Sequence, residues 1–213
     1  MCGIVGSFSK EKIKELAKLN SQRGNKTYSI TVINNRNEVV YCNKTVGKFE
    51  DEVLESGIDF KVENPYYILH IQSPTKVTGN SLNTIHPATD NKNDTHLWHN
   101  GMLLERNLNT IKEEYNYESD WDTGLLLEVV NSDYNNLKKV EGSFACLHLK
   151  DKTFTMFRNR ITPLYIDEEL NISSVPFSGS QNIEFNNVFE INLKTKKYSK
   201  IMDFDNTHNP YKF

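Results

Sequence analysis

The sequence predicts an α+β fold with largely antiparallel sheets, and three observations support this prediction. Strand-like segments come first, two helical patterns follow, and strand-like segments then return. Strands and helices do not alternate regularly as they do in parallel βαβ units. No internal repeat or linker divides the 213 residues, a length that suits one domain of generous size. We therefore expect residues 1–213 to form a single domain.

The first half of the chain predicts strands, one helix and two long irregular segments. Residues 10–19 place Ile13, Leu16 and Ala17 on one face, as in an amphipathic helix. Asn34-Asn35-Arg36-Asn37 separates two β-rich runs and indicates a hairpin. The predicted strands are 1–8, 28–33, 38–42, 66–71 and 95–102, and the irregular segments are a surface excursion over 43–64 and a loop over 72–94.

The second half predicts two helices and then a set of strands. Apolar residues recur at helical spacing over 106–115 and 121–130. A Lys150-Asp151 turn then joins two β-rich runs. The expected strands are 143–149, 152–158, 164–166, 188–193 and 198–202.

Composition excludes several classes of protein. A net charge of −3 without a Lys/Arg block gives no reason to expect a nucleic-acid or membrane partner. The three cysteines, Cys2, Cys42 and Cys146, form no CxxC or zinc pattern, which favours a reducing compartment and no metal site. No secretory signal, membrane span, Walker or GxGxxG pattern is present. We expect a cytoplasmic protein without a cofactor.

Cys2 is the first candidate for chemistry. Removal of Met1 would leave one residue with both a thiol and a free α-amine. The reference pKa values of these groups are about 8.5 and about 8, so the amine can take the thiol proton. Gly3 and Gly6 are expected to let the backbone pass close to a substrate. The alternative is that Cys2 is an ordinary small apolar residue near a terminus.

Six short segments, collinear along nearly the whole chain, carry a family resemblance. They are Met1-Cys2-Gly3-Ile4-Val5-Gly6, Gln22-Arg23-Gly24, His70 to Thr75 with His86-Pro87, His99-Asn100-Gly101, Ser119-Asp120-Trp121-Asp122, and Gly142-Ser143-Phe144-Ala145 with Arg158 and Pro163-Leu164-Tyr165. Together they resemble the glutaminase domain of class II glutamine amidotransferases, which are N-terminal-nucleophile (Ntn) hydrolases. Each segment alone is weak evidence, but an ordered set of six is specific.

The resemblance implies a four-layer αββα sandwich of two antiparallel sheets. It also implies that the Cys2 thiolate attacks the side-chain amide of glutamine while Asn100 and Gly101 stabilise the oxyanion. Asp120 would bind the substrate's α-amino group, its alternative being a helix N-cap or first-turn acid.

Three further residues complete the predicted site. Thr75 and His86 would hydrogen-bond the substrate, although a loop threonine and a histidine before proline are often structural. Arg23 would order the loop near the nucleophile, its alternative being an exposed cation.

Gln72 is the one clear departure from the family pattern. The family usually has an arginine at this position, which clamps the α-carboxylate of glutamine. Gln72 can donate hydrogen bonds but lacks the charge-assisted, bidentate pairing. Either another cation (Arg23, Lys76 or Arg106) compensates, or the substrate is not free glutamine at ordinary affinity. We expect weak glutamine binding.

The expected function is hydrolysis of glutamine to glutamate and ammonia. The chain shows no synthetase pattern, so we expect the ammonia to serve an amidation carried out in trans by a partner synthetase subunit. Two alternatives stay open. One is a non-catalytic regulatory or binding subunit that retains the fold, and the other is an Ntn amidohydrolase that acts on a different amide.

Overall fold

A computed structural model describes residues 2–24, 26–55, 62–73, 82–90 and 94–207. The chain divides into two compact units. Unit 1 comprises Met1–Pro87, Leu164–Asn182 and Asn192–Lys197, and unit 2 comprises Ala88–Pro163, Ile183–Ile191 and Tyr198–Phe213. The assignment of a single domain stays a prediction.

The described residues form strands and helices in the order β-α-β, then helices, then β. The strands are β1 (Cys2–Ser7), β2 (Thr27–Ile33), β3 (Val39–Val46), β4 (Tyr66–Gln72), β5 (Ala88–Asp90), β6 (Thr95–Leu103), β7 (Gly142–Lys150), β8 (Thr153–Arg158), β9 (Tyr165–Ile166), β10 (Ile172–Ser173), β11 (Gln181–Asn182), β12 (Asn187–Asn192) and β13 (Lys197–Asp203). The α-helices are α1 (Lys10–Asn20), α2 (Glu105–Tyr115) and α3 (Asp122–Ser132), and 3-10 turns span Asp51–Leu54, Leu82–Thr84 and Tyr134–Lys139. Among these helices, none is long and apolar enough to cross a membrane.

Unit 1 is built on a seven-stranded sheet in the order β11-β9-β10-β1-β4-β2-β3. β1 pairs antiparallel with both β4 and β10, so it lies in the middle of the sheet. Helix α1 begins where the Ser9 hydroxyl accepts a hydrogen bond from the Lys12 N–H at 3.2 Å. Its buried side chains, among them Leu16, pack with Val5 of β1 and Leu69 of β4. The apolar core of unit 1 therefore lies on the face of the sheet that α1 covers.

Gly3 and Gly6 are needed for packing within unit 1. A Cβ at Gly3 would lie 3.0 Å from the Asn20 side chain at the end of α1, and one at Gly6 would lie 2.5 Å from the Tyr66 hydroxyl. The prediction that these glycines make room for a substrate is wrong, because the protein's own side chains fill that space.

Unit 2 is built on a six-stranded sheet in the order β13-β12-β8-β7-β6-β5. Helices α2 and α3 bury their apolar sides against one face of this sheet. Leu97 and Leu103 of β6 belong to the same cluster as Leu126 of α3 and Phe144 of β7. Because side chains alternate along a strand, Trp98 and Asn100 lie on the opposite face of β6.

Two expectations about irregular segments are corrected. β3 extends to Val46, and the turn Asp51–Leu54 buries Leu54 completely, so the segment 43–64 is not simply a surface excursion. The predicted loop 72–94 contains strand β5, which pairs with β6. Strands of two or three residues carry no detectable periodicity, and pairing with a longer neighbour defines them.

Candidate active site

Cys2 is the first residue of β1, and its side chain is buried, with 9% exposure. Its backbone pairs with Gln72, the last residue of β4. Arg23 Nη1 donates to the Cys2 carbonyl oxygen at 3.4 Å, so the cation lies beside the backbone of the candidate nucleophile. Cys146 is a poor alternative, because complete burial raises the pKa of its thiol. Cys42 lies exposed on β3.

Gln72 is held in place by the segment that contains His86. Its amide nitrogen donates to the Thr84 carbonyl at 3.3 Å, and its amide oxygen lies 3.2 Å from His86 Nδ1. The His86 ring stacks on the buried His70, with 3.9 Å between centroids. On the backbone side, Gly24 approaches so closely that a Cβ there would lie 2.5 Å from the Gln72 nitrogen. Four predicted site residues, Cys2, Arg23, Gln72 and His86, are thus brought together in unit 1.

The end of the unit 1 sheet carries a polar row that sequence analysis missed. Gln72 pairs with Cys2 on one side and with Thr27 on the other, so the three side chains share one face. This is the face opposite α1, since Ile71 belongs to the core cluster that contains α1 residues. The hydroxyls of Thr27 and Ser29 are buried and have no hydrogen-bond partner among the described residues. The alternation Thr27, Ser29, Thr31 within a strand is the sequence signal that could have identified this face.

Asn100 and Gly101 are consecutive residues of β6 in unit 2. The Asn100 side chain is buried, with 2% exposure, on the face away from α2 and α3. Gly101 has a φ of +151°, and a Cβ there would lie 1.9 Å from the carbonyl oxygen of Ser143 on β7. The close approach of β7 and the backbone conformation therefore both require glycine at 101.

His99 joins β6 to the start of α3. Its Nδ1 lies 3.1 Å from the Thr123 hydroxyl and its Nε2 lies 3.2 Å from the Ser143 carbonyl oxygen. Burial lowers the pKa of His99 even though the Asp122 carboxylate opposes the shift, and a neutral imidazole is favoured. This ring and the Asp122 carboxylate, which accepts from the Leu103 N–H at 3.1 Å, fix the strand that carries Asn100.

Asp120 lies just before α3, where its side chain is 94% exposed and pairs with Lys112. The N-cap of α3 is Trp121, and the first-turn acid is Asp122, so the structure gives Asp120 no capping role. Its predicted contact with a substrate amine stays a prediction. The described geometry shows that this carboxylate accepts a hydrogen bond from a primary ammonium group, that of Lys112.

The remaining predicted residues divide into two groups. Thr75 and Lys76 lie outside the described residues. Arg106, one of the cations considered as a replacement clamp, pairs instead with Glu141 at 2.7 Å. Of the two cations that the structure describes, Arg23 is thus the one that lies beside Cys2. Within the described ranges, no group of three or more His, Cys, Asp or Glu side chains could hold a metal ion.

Two solved structures are similar in fold to this chain. Glutamine phosphoribosylpyrophosphate (PRPP) amidotransferase from B. subtilis is similar over 94% of this chain, with a TM-score of 0.67 and 16% identity. A second structure, of the allosteric regulatory enzyme of purine biosynthesis, is similar over 94% of this chain, with a TM-score of 0.67 and 14% identity. This chain covers 49% and 48% of those chains, about half of their length.

Similarity at this level of identity shows the fold alone. The α+β class with two antiparallel sheets and the resemblance to the Ntn amidotransferase fold are thereby confirmed. No protein-family model and no curated protein matches the sequence.

Proposed function

We propose that this chain hydrolyses the side-chain amide of glutamine and that Cys2 is the nucleophile. The observation that carries the proposal is the position of Cys2, at the start of the middle strand of unit 1 and beside Arg23 and Gln72. The shared fold with an enzyme named as a glutamine PRPP amidotransferase supports it. In this proposal Met1 is removed, so that the α-amine of Cys2 is free.

The proposed reaction proceeds through a thioester. The Cys2 α-amine takes the thiol proton, and the thiolate attacks the amide carbon of the substrate. The carbon–nitrogen bond then breaks, and the nitrogen leaves as ammonia after taking up that proton. Water adds to the thioester, which releases glutamate and restores the thiol.

Asn100, Gly101 and Asp120 each have one task in the proposed reaction. The Asn100 amide and the Gly101 N–H donate to the oxyanion, and each such donor contributes about 3 to 4 kcal/mol to transition-state binding. Asp120 binds the ammonium group of the substrate, which takes the place of the Lys112 ammonium group. The ammonia passes to an amidating partner protein.

The test combines turnover with covalent labelling. Wild-type protein should release ammonia and glutamate from glutamine, and Cys2→Ala should release neither. A diazoketone analogue of glutamine should add once, on the peptide that begins with Cys2. Cys42→Ala is the matched control, because it removes an exposed thiol on another strand, and it should keep both the adduct and the turnover. An adduct that persists in Cys2→Ala, or a mature chain that retains Met1, would overturn the proposal.

Gln72 favours one alternative function, a non-catalytic binding or regulatory subunit. Its amide takes the place of the family arginine, and Thr84 and His86 already bind it. A subunit of this kind would show no adduct and no glutamate release.

Delivery of ammonia to a partner is tested in a separate experiment. A protein that co-purifies with this chain is added, and free ammonia should fall while glutamate release continues.

A further inference from the structure

Thr27 is a buried polar residue that the proposed reaction does not use. It is 2% exposed, and its hydroxyl has no hydrogen-bond partner among the described residues. A buried hydroxyl without a partner loses its hydrogen bonds to water and gains nothing in return, so each case needs an explanation. Ser29, two residues along the same strand, is fully buried and is in the same situation.

The position of Thr27 provides the explanation. Thr27 begins β2, Gln72 ends β4 and Cys2 begins β1, and the backbone of Gln72 pairs directly with both of the others. The three side chains therefore lie in one row at one end of the sheet, on the face away from α1. Ser29 lies one row further in, across from His70, whose ring is stacked against His86.

The Gln72 amide has one hydrogen that no described residue accepts. Its amide nitrogen carries two hydrogens, and one of them goes to the Thr84 carbonyl. The Thr27 hydroxyl adds a second hydrogen that no described residue accepts. The row thus places two neutral donors on neighbouring strands, next to the candidate nucleophile.

We infer that Thr27 and Gln72 together bind the α-carbonyl end of the substrate through neutral hydrogen bonds. This inference rests on the proposed function and specifies its substrate class. Neutral donors recognise a carbonyl oxygen whether it belongs to a carboxylate, an amide or an ester, whereas an arginine fork recognises the charge. The site therefore accepts glutamine whose α-carboxyl group is blocked, as in an α-amide or a peptide bond.

The experiment compares free glutamine with glutamine α-amide as substrates of the purified protein. Wild-type kcat/KM should differ between them by less than about tenfold, the change that one ordinary hydrogen bond makes. Gln72→Arg should raise the preference for free glutamine by at least about tenfold, because it restores the charge-assisted pairing. Thr27→Val should lower kcat/KM for both substrates by about tenfold, since it removes one neutral donor.

Stability measurements separate binding from a structural role. Thr27→Val removes an unpartnered buried hydroxyl, so its urea unfolding midpoint should be equal to or above that of the wild type while its kcat/KM falls. Ser29→Ala is the matched control, because it removes the other unpartnered hydroxyl of the same strand face and should leave the substrate preference unchanged.

Three outcomes would overturn the inference while the proposed function survives. The first is a wild-type enzyme that rejects the α-amide. The second is a Thr27→Val protein with unchanged kcat/KM. The third is a strong preference for free glutamine that Arg23→Gln abolishes, which would assign the carboxylate to the guanidinium beside Cys2. Absence of ammonia release from either substrate would instead contradict the proposed function itself.

Discussion

Replacement of Gly101 by alanine should lower the free energy of unfolding more than the same replacement at Gly47. A Cβ at 101 would lie 1.9 Å from the Ser143 carbonyl oxygen and 2.7 Å from His99 Nε2, whereas ordinary contact begins near 3.4 Å. The backbone φ of +151° adds a cost of about 1 to 3 kcal/mol for any residue with a Cβ. Overpacking against a neighbouring strand adds about 1 to 3 kcal/mol more. We expect a total loss of about 2 to 6 kcal/mol of unfolding free energy.

Gly47→Ala is the control that isolates the steric part. Gly47 also has a positive φ, +138°, but a Cβ there would meet no atom within 4 Å. Its cost should be the backbone part alone, about 1 to 3 kcal/mol. Urea unfolding followed by far-UV circular dichroism measures both variants. A Gly101→Ala protein that loses no more stability than Gly47→Ala would refute the conclusion that β7 requires glycine at position 101.

Three other measurements test the contact between Tyr134 and His148, the protonation of His148, and Asp120. Tyr134→Phe should lower the free energy of unfolding by about 1 to 3 kcal/mol, measured in urea. The Tyr134 hydroxyl lies 2.7 Å from His148 Nδ1 and 2.8 Å from the Thr155 hydroxyl, and both groups would stay buried without this hydrogen bond. Burial lowers the pKa of His148 to about 3. Below about pH 6.5, His148 therefore binds a proton in the unfolded chain but not in the folded chain. Stability should therefore fall by up to about 1.4 kcal/mol per pH unit as the pH drops from about 6.5 towards 3, and an NMR titration that shows His148 protonated near pH 6 would contradict this. Lys112→Met removes the ammonium group that pairs with Asp120 and should lower the KM for glutamine up to about fivefold, the effect of an exposed ion pair; an unchanged KM would argue against a role for Asp120 in binding the amine.

The longer elements of the fold were predictable because each has its own local signal. The apolar spacing of Ile13 and Leu16 predicted α1 over 10–19, and the helix spans Lys10–Asn20. The helices expected at 106–115 and 121–130 are Glu105–Tyr115 and Asp122–Ser132. Helical periodicity survives a shift of one or two residues at either end, so type and position were both recovered.

Strands β10 and β11 of unit 1 were not predictable in the same way. β10 contains only Ile172 and Ser173, and it exists because it pairs with Val5 and Gly6 of β1. The neighbouring Ser174 hydroxyl accepts from the Ile4 N–H at 2.9 Å. These contacts join residues about 170 positions apart in the chain, and no local pattern encodes them.

The candidate site shows the same division between local motif and long-range register. Motifs identified Cys2, Asn100 and Gly101 one at a time, because each lies in a short and recognisable segment. The role of Thr27 depends on which residue of β4 it faces, and the pairing register alone decides this. A slip of one residue would turn the Thr27 side chain towards the α1 side of the sheet and leave Gln72 without a neutral neighbour. Gln72, which stands where the family usually has an arginine, therefore lies in the folded chain beside Thr27, a second donor that no motif describes.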